Sequence, residues 1–140
     1  MRRQTISLAR MIDHVSIPVG DFSRAAAFYD AVLATLGHRR MKERDGAIGY
    51  GPMPDGHAPE FWIHRREDSG AASAGIGLHI SFRAKDRAQV HAFHATALKL
   101  GAKDAGAPGV RPHYTAGFYG GFVFDHDGFK IEAVAREALP

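Results

Sequence analysis

The chain has 140 residues, 45% of them hydrophobic and 24% charged, which suits one soluble globular domain and excludes a disordered tail, a fibre and a collagen-like chain. Without cysteine it holds no disulfide, no thiolate ligand and no Cys nucleophile, and no apolar run reaches the ~20 residues that span a bilayer, so a soluble, cytoplasmic protein is expected. The net charge of +3 comes from scattered basic residues such as Arg39, Arg40, Lys42, Arg65 and Arg66, not from the clustered basic face that nucleic acid requires.

Residues 11–19 alternate, with Val15, Ile17 and Val19 on one face and His14 and Ser16 on the other, which predicts a strand. Asp21 stands at the N-cap of a helix whose apolar face is Phe22, Ala25, Tyr29, Val32 and Leu36. Gly37 ends it. Short strands are predicted over 39–44, 47–50 and 60–64, with Gly46 and residues 52–59 as turns. Residues 67–74, small and polar, read as a link.

The pattern then starts again. At an offset of 65, six of the twenty positions from His14 to Leu33 are identical, His14 to His79, Ser16 to Ser81 and Asp21 to Asp86 among them. Chance supplies about one or two, so a duplicated supersecondary unit is the simplest explanation. A second strand is predicted over 75–84, then a helix capped by Asp86 and ended by Gly101, a Gly/Pro-rich loop over 102–117, and strands over 118–124 and 130–135 joined by the turn Asp125-His126-Asp127-Gly128. The expected architecture is α+β. A single domain, 1–140, contains two fused βαβββ modules, about 11–66 and 75–135, whose mixed sheet curls around a cleft with the helices outside.

His14 and His79 share one strand phase, and Glu60 and Glu132 lie on the last strand of each module, opposite the helix-packed face. A lone strand histidine is more often a hydrogen-bonded structural residue than a ligand, but two structural histidines have no reason to recur at one repeat position. If the sheets curl together, two imidazoles and two carboxylates meet, a set that suits a divalent transition metal and balances its charge. The loop with Arg111, His113 and Tyr114, followed by Phe118 and Tyr119, gathers a cation and aromatics near the last strands. Arg111, His113, Tyr119 and Trp62 are the candidate substrate contacts, whereas His38, His57, His64, His91 and His94 read as structural or exposed.

Several pieces resemble the glyoxalase/bleomycin resistance protein/dioxygenase superfamily, the vicinal oxygen chelate proteins. They are Asp13-His14-Val15, Phe28-Tyr29-Asp30-Ala31-Val32-Leu33, Glu60-Phe61-Trp62-Ile63, Leu78-His79-Ile80 and the closing Asp125 to Glu132. The resemblance covers about residues 11–135. It implies paired βαβββ modules around a metal held by His14, Glu60, His79 and Glu132, and a homodimer. The closing turn departs from the family's Asp-Pro-Asp-Gly by carrying His126 in place of proline, which loosens the turn without touching the metal.

The function the resemblance implies is a glyoxalase I-like lyase or isomerase. Zinc or nickel, or else iron(II) or manganese, would chelate vicinal oxygens of a small substrate and stabilise an enediolate. Glu132 or Glu60 would move the proton. The alternatives are an iron(II) extradiol-type dioxygenase using His14, His79 and Glu132, and a protein that sequesters a drug without catalysis. Small molecules are the expected partners, with no role for nucleic acid or membrane.

Overall fold

The computed structural model describes residues 11–52, 58–66 and 78–136. Module 1 runs β1 (Val15–Val19), α1 (Phe22–Ala34), β2 (His38–Arg44), β3 (Ala47–Pro52) and β4 (Phe61–Arg65). Module 2 repeats the order as β5 (His79–Arg83), α2 (Arg87–Lys99), β6 (Lys103–Val110), β7 (Phe118–Phe124) and β8 (Lys130–Arg136). The expected link at 67–74, the start of the 75–84 strand and His57 lie outside the described residues.

Local chemistry sets the helix ends. The Asp21 carboxylate accepts from Arg24 N at 3.0 Å and that of Asp86 from Gln89 N at 2.9 Å, each satisfying one of the free N–H groups of a first turn. Gly37 and Gly101 follow with φ of 85° and 97°. α1 buries Ala25, Ala26, Phe28, Tyr29, Val32 and Leu33, and α2 buries Val90, Phe93, His94 and Ala97, the stripes expected of helices lying on a sheet.

Each module forms its own four-stranded mixed sheet, in the orders β1-β4-β3-β2 and β5-β8-β7-β6. The first and last strands pair in parallel and the others antiparallel. Strand β1 begins at Val15, later than the alternation predicts, because its partner β4 begins only at Phe61. The result is the expected α+β, two-module fold with helices outside the sheets and no closed barrel.

One expectation needs correcting. Half of the 102–117 loop is strand β6, the second strand of module 2 in chain order and the edge strand of its sheet. Its register slips between Asp104 and Gly106 and again between Gly106 and Gly109, so its side chains never keep the period of two that marks a strand in sequence. It also carries Pro108, which an edge strand tolerates.

The modules share one core, from Ile17 and Phe61 through Phe82 and Ile131, and α1 packs against α2. Polar contacts from the closing turn lock them together. The Tyr29 hydroxyl donates to Asp125 Oδ2 at 2.5 Å and Gly20 N donates to Asp127 Oδ1 at 2.8 Å. His126 lies 2.8 Å from the Leu100 carbonyl and packs edge-on against Phe28. Its ring contact with Phe28 joins the two modules.

His38, at the start of β2, has a buried Nδ1 with no hydrogen-bond partner. Burial lowers its pKa from 6.5, with the Glu60 charge opposing the shift. The unfolded chain therefore binds the proton more readily, and stability falls as pH drops from about 6.5 through the lower folded value. His38→Leu is expected to flatten that part of a urea-unfolding pH profile; an unchanged profile would show that the imidazole is not the titrating group.

Candidate active site

In module 2 the side chains pointing away from α2 begin with His79, whose Nε2 lies 3.3 Å from Glu132 Oε1. Glu132 is 3% exposed, and its Oε2 has no hydrogen-bond partner. Phe122 is its cross-strand neighbour, and Phe118, Phe122 and Val134 make a small separate apolar cluster on this face. Gly120 leaves the carboxylate its space, since an added Cβ would stand 2.8 Å from Phe118 Cε1 and 3.4 Å from Glu132 Oε2. Cations rim the face: Arg111 and Lys130 lie over the Phe122 ring at 5.7 and 5.1 Å, and Arg136 over Phe118 at 5.3 Å.

The corresponding face of module 1 is a pocket of about 490 Å³. His14 lies there, its Nδ1 2.7 Å from Asp13 Oδ1, which leaves Nε2 free to face a ligand. Strand register shows that the two glutamates stand at different repeat positions. Val15 pairs with Phe61 and Ser16 with Trp62, while Ile80 pairs with Ile131 and Ser81 with Glu132. The repeat counterpart of Glu132 is therefore Trp62, and Glu60, two residues earlier and just before β4, matches Lys130. The indole takes the place of the second carboxylate.

The expected convergence of four ligands does not occur within one chain. Among the described residues no three His, Asp or Glu side chains come together as a metal-holding group. Each helix covers one face of its own sheet, and the His14 and Glu132 faces belong to sheets that are not hydrogen-bonded to each other.

The other candidates divide. Arg111 lies on the Glu132 side over Phe122, but its guanidinium already donates to the Ala107 and Val110 carbonyls at 2.7 and 3.3 Å, so it anchors the loop. His113 is exposed and stacks on Tyr114, which packs edge-on against Phe118. Tyr119 points to the helix side instead: its hydroxyl is 2.6 Å from His91 Nε2, and Arg87 covers its ring. It is a structural residue, because the alternation that aims Phe118 at the open face turns Tyr119 away. His94 is buried and meets Asp104 at 2.9 Å, a contact that holds the Asp104 pKa below its usual value.

The family model of the Glyoxalase/Bleomycin resistance protein/Dioxygenase superfamily matches residues 11–133. The chain belongs to that superfamily. A glyoxalase/bleomycin resistance protein from Albidiferax ferrireducens T118 is 31% identical, with a TM-score of 0.79 over 91% of this chain and 100% of that one. Two more distant structures share the superfamily fold. They are a glyoxalase-related enzyme from Fulvimarina pelagi (16% identity, TM-score 0.68, 94% and 91% covered) and the fosfomycin resistance protein FosX from Mesorhizobium loti (18%, 0.62, 90% and 92%). No curated protein matches the sequence.

Members of the superfamily generally use a divalent metal ion. The residues here fit one in part. A buried carboxylate oxygen without a partner, beside a half-exposed imidazole, is a donor pair of the kind that suits a cation. Asp13 on His14 is the outer carboxylate that commonly orients a ligating histidine. No helix among the described residues is long and apolar enough to cross a membrane.

Proposed function

We propose that this superfamily member is a metal-dependent enzyme acting on a small oxygen-rich substrate by proton transfer, in the manner of a glyoxalase I-like lyase or isomerase. The observation behind this reading is Glu132: a carboxylate stays buried with an open oxygen only at a cost, which a bound cation offsets. His79 and Glu132 would hold the ion, with His14 as the third donor and Asp13 fixing its tautomer. A bound divalent ion supplies Lewis acidity toward two neighbouring substrate oxygens. Glu132 would take and return the proton, with Phe118 and Phe122 beside it keeping water away. Because His14 and the His79–Glu132 pair occupy separate faces, a homodimer that sets module 1 of one copy against module 2 of the other completes the site. Glu60 lies outside this ligand set.

Trp62 also favours a second reading. With the fourth donor replaced by indole, two histidines and one carboxylate remain, the set that holds iron(II) with open positions in oxygen-using enzymes. Oxygen uptake with a catechol separates it from solvent-deuterium incorporation into a 2-hydroxycarbonyl compound.

Thermal unfolding with zinc, nickel, manganese or anaerobic iron(II) tests the site. Metal is expected to raise the wild-type midpoint and to act weakly on His14→Ala or His79→Ala. An equal mixture of the two variants, refolded together, regains about a quarter of wild-type metal binding, because half the dimers are mixed and each mixed dimer has one intact site. Absence of any metal effect on wild type overturns the reading, and absence of recovery in the mixture overturns the shared site.

A further inference from the structure

We propose that the open face of module 1 binds the ring of a small aromatic carboxylate, with Trp62 as the platform and Lys42 and Arg44 as counter-charges. This names the substrate class of the site and rests on the reading above. The pocket of about 490 Å³ lies in the size range of small-molecule sites, about 300–1,000 Å³. Its apolar wall is the Trp62 indole with Pro59. The indole lies across β3 only because its cross-strand neighbour is glycine: a Cβ on Gly49 would stand 2.8 Å from Trp62 Cε2 and Cζ2. Strand β3 has given up a side chain there, and the half-buried ring is laid out as a surface.

Charge selects the ligand. Lys42 and Arg44 line the pocket, with the Arg44 guanidinium 5.5 Å from the indole centroid. The one carboxylate among the described lining residues, Asp13, faces His14, so the cations remain available to a bound anion. An aromatic ring offers a flat partner for the indole. A carboxylate on that ring offers the planar acceptor that a guanidinium grips. In the metal-free protein His14, its Nδ1 turned to Asp13, presents Nε2 to a ligand hydroxyl.

Trp62 is the chain's single tryptophan, so intrinsic fluorescence reads this pocket directly. Protein kept metal-free with EDTA is titrated with 4-hydroxybenzoate and with the neutral 4-hydroxybenzamide. The expected result is saturable quenching by the carboxylate and at least tenfold weaker binding of the amide. Arg44→Gln and Lys42→Gln should each weaken carboxylate binding about tenfold, the scale of one charge-assisted contact. Non-saturable quenching, equal affinity for the amide, or wild-type affinity in both glutamine variants overturns the proposal. Since no metal is present, failure here leaves the metal titration standing, and failure of that titration leaves this binding curve standing.

Discussion

Glu132→Gln is expected to slow solvent-deuterium exchange at the substrate carbon by about 10²-fold or more, the scale of a lost general base. The amide keeps the shape and one carbonyl oxygen for a metal, so metal binding should fall less than in His79→Ala. Glu132→Met should act in opposite directions on function and on stability. It removes the metal response, yet stabilises the metal-free protein by about 1–2 kcal/mol, because the unpartnered Oε2 leaves an apolar cluster of Phe118, Phe122 and Val134. A carboxylate with a merely structural role would destabilise on removal. Exchange at the wild-type rate in Glu132→Gln ends the proton-shuttle mechanism, and a less stable Glu132→Met ends the account of the buried oxygen.

Asp125→Ala should cost about 3 kcal/mol in urea unfolding, the largest stability loss predicted here, because it orphans several buried donors at once. Asp125 Oδ2 accepts from the Tyr29 hydroxyl, and Oδ1 from Asp127 N at 3.0 Å and Phe129 N at 2.8 Å. Burial raises the Asp125 pKa from 3.8, while the Tyr29 hydrogen bond holds it down; burial, together with the Asp125 charge, pushes Tyr29 well up from 10.0. A raised carboxyl pKa means the folded chain binds the proton more tightly. The contribution to stability is thus full below about 3.8 and declines as pH rises through the folded value. Tyr29→Phe removes the opposing bond, so that decline should deepen, and the variant should lose more stability at pH 7 than at pH 4. A loss equal at both pH values would show that the hydroxyl does not stabilise the ionised form.

The fold was largely legible in the chain itself. The offset of 65, the two aspartate caps and the glycines at 37 and 101 specify two like modules, because caps and periodicity are properties of neighbouring residues. The same local signals picked out His14, His79 and Glu132. What they could not decide was register across strands: Glu60 and Trp62 share a face, and only the pairing of β1 with β4 shows that Trp62, not Glu60, stands where module 2 has its carboxylate. Strand β6 was hidden because its two register slips erase the alternation. Tyr119 was misplaced because an aromatic beside Phe118 looks alike on either face until the sheet is built. Convergence of the histidines is likewise a tertiary matter. The packing of α1 on α2 over a common core leaves His14 and the His79–Glu132 pair on separate sheets, since apolar burial is optimised without regard to where the polar faces point.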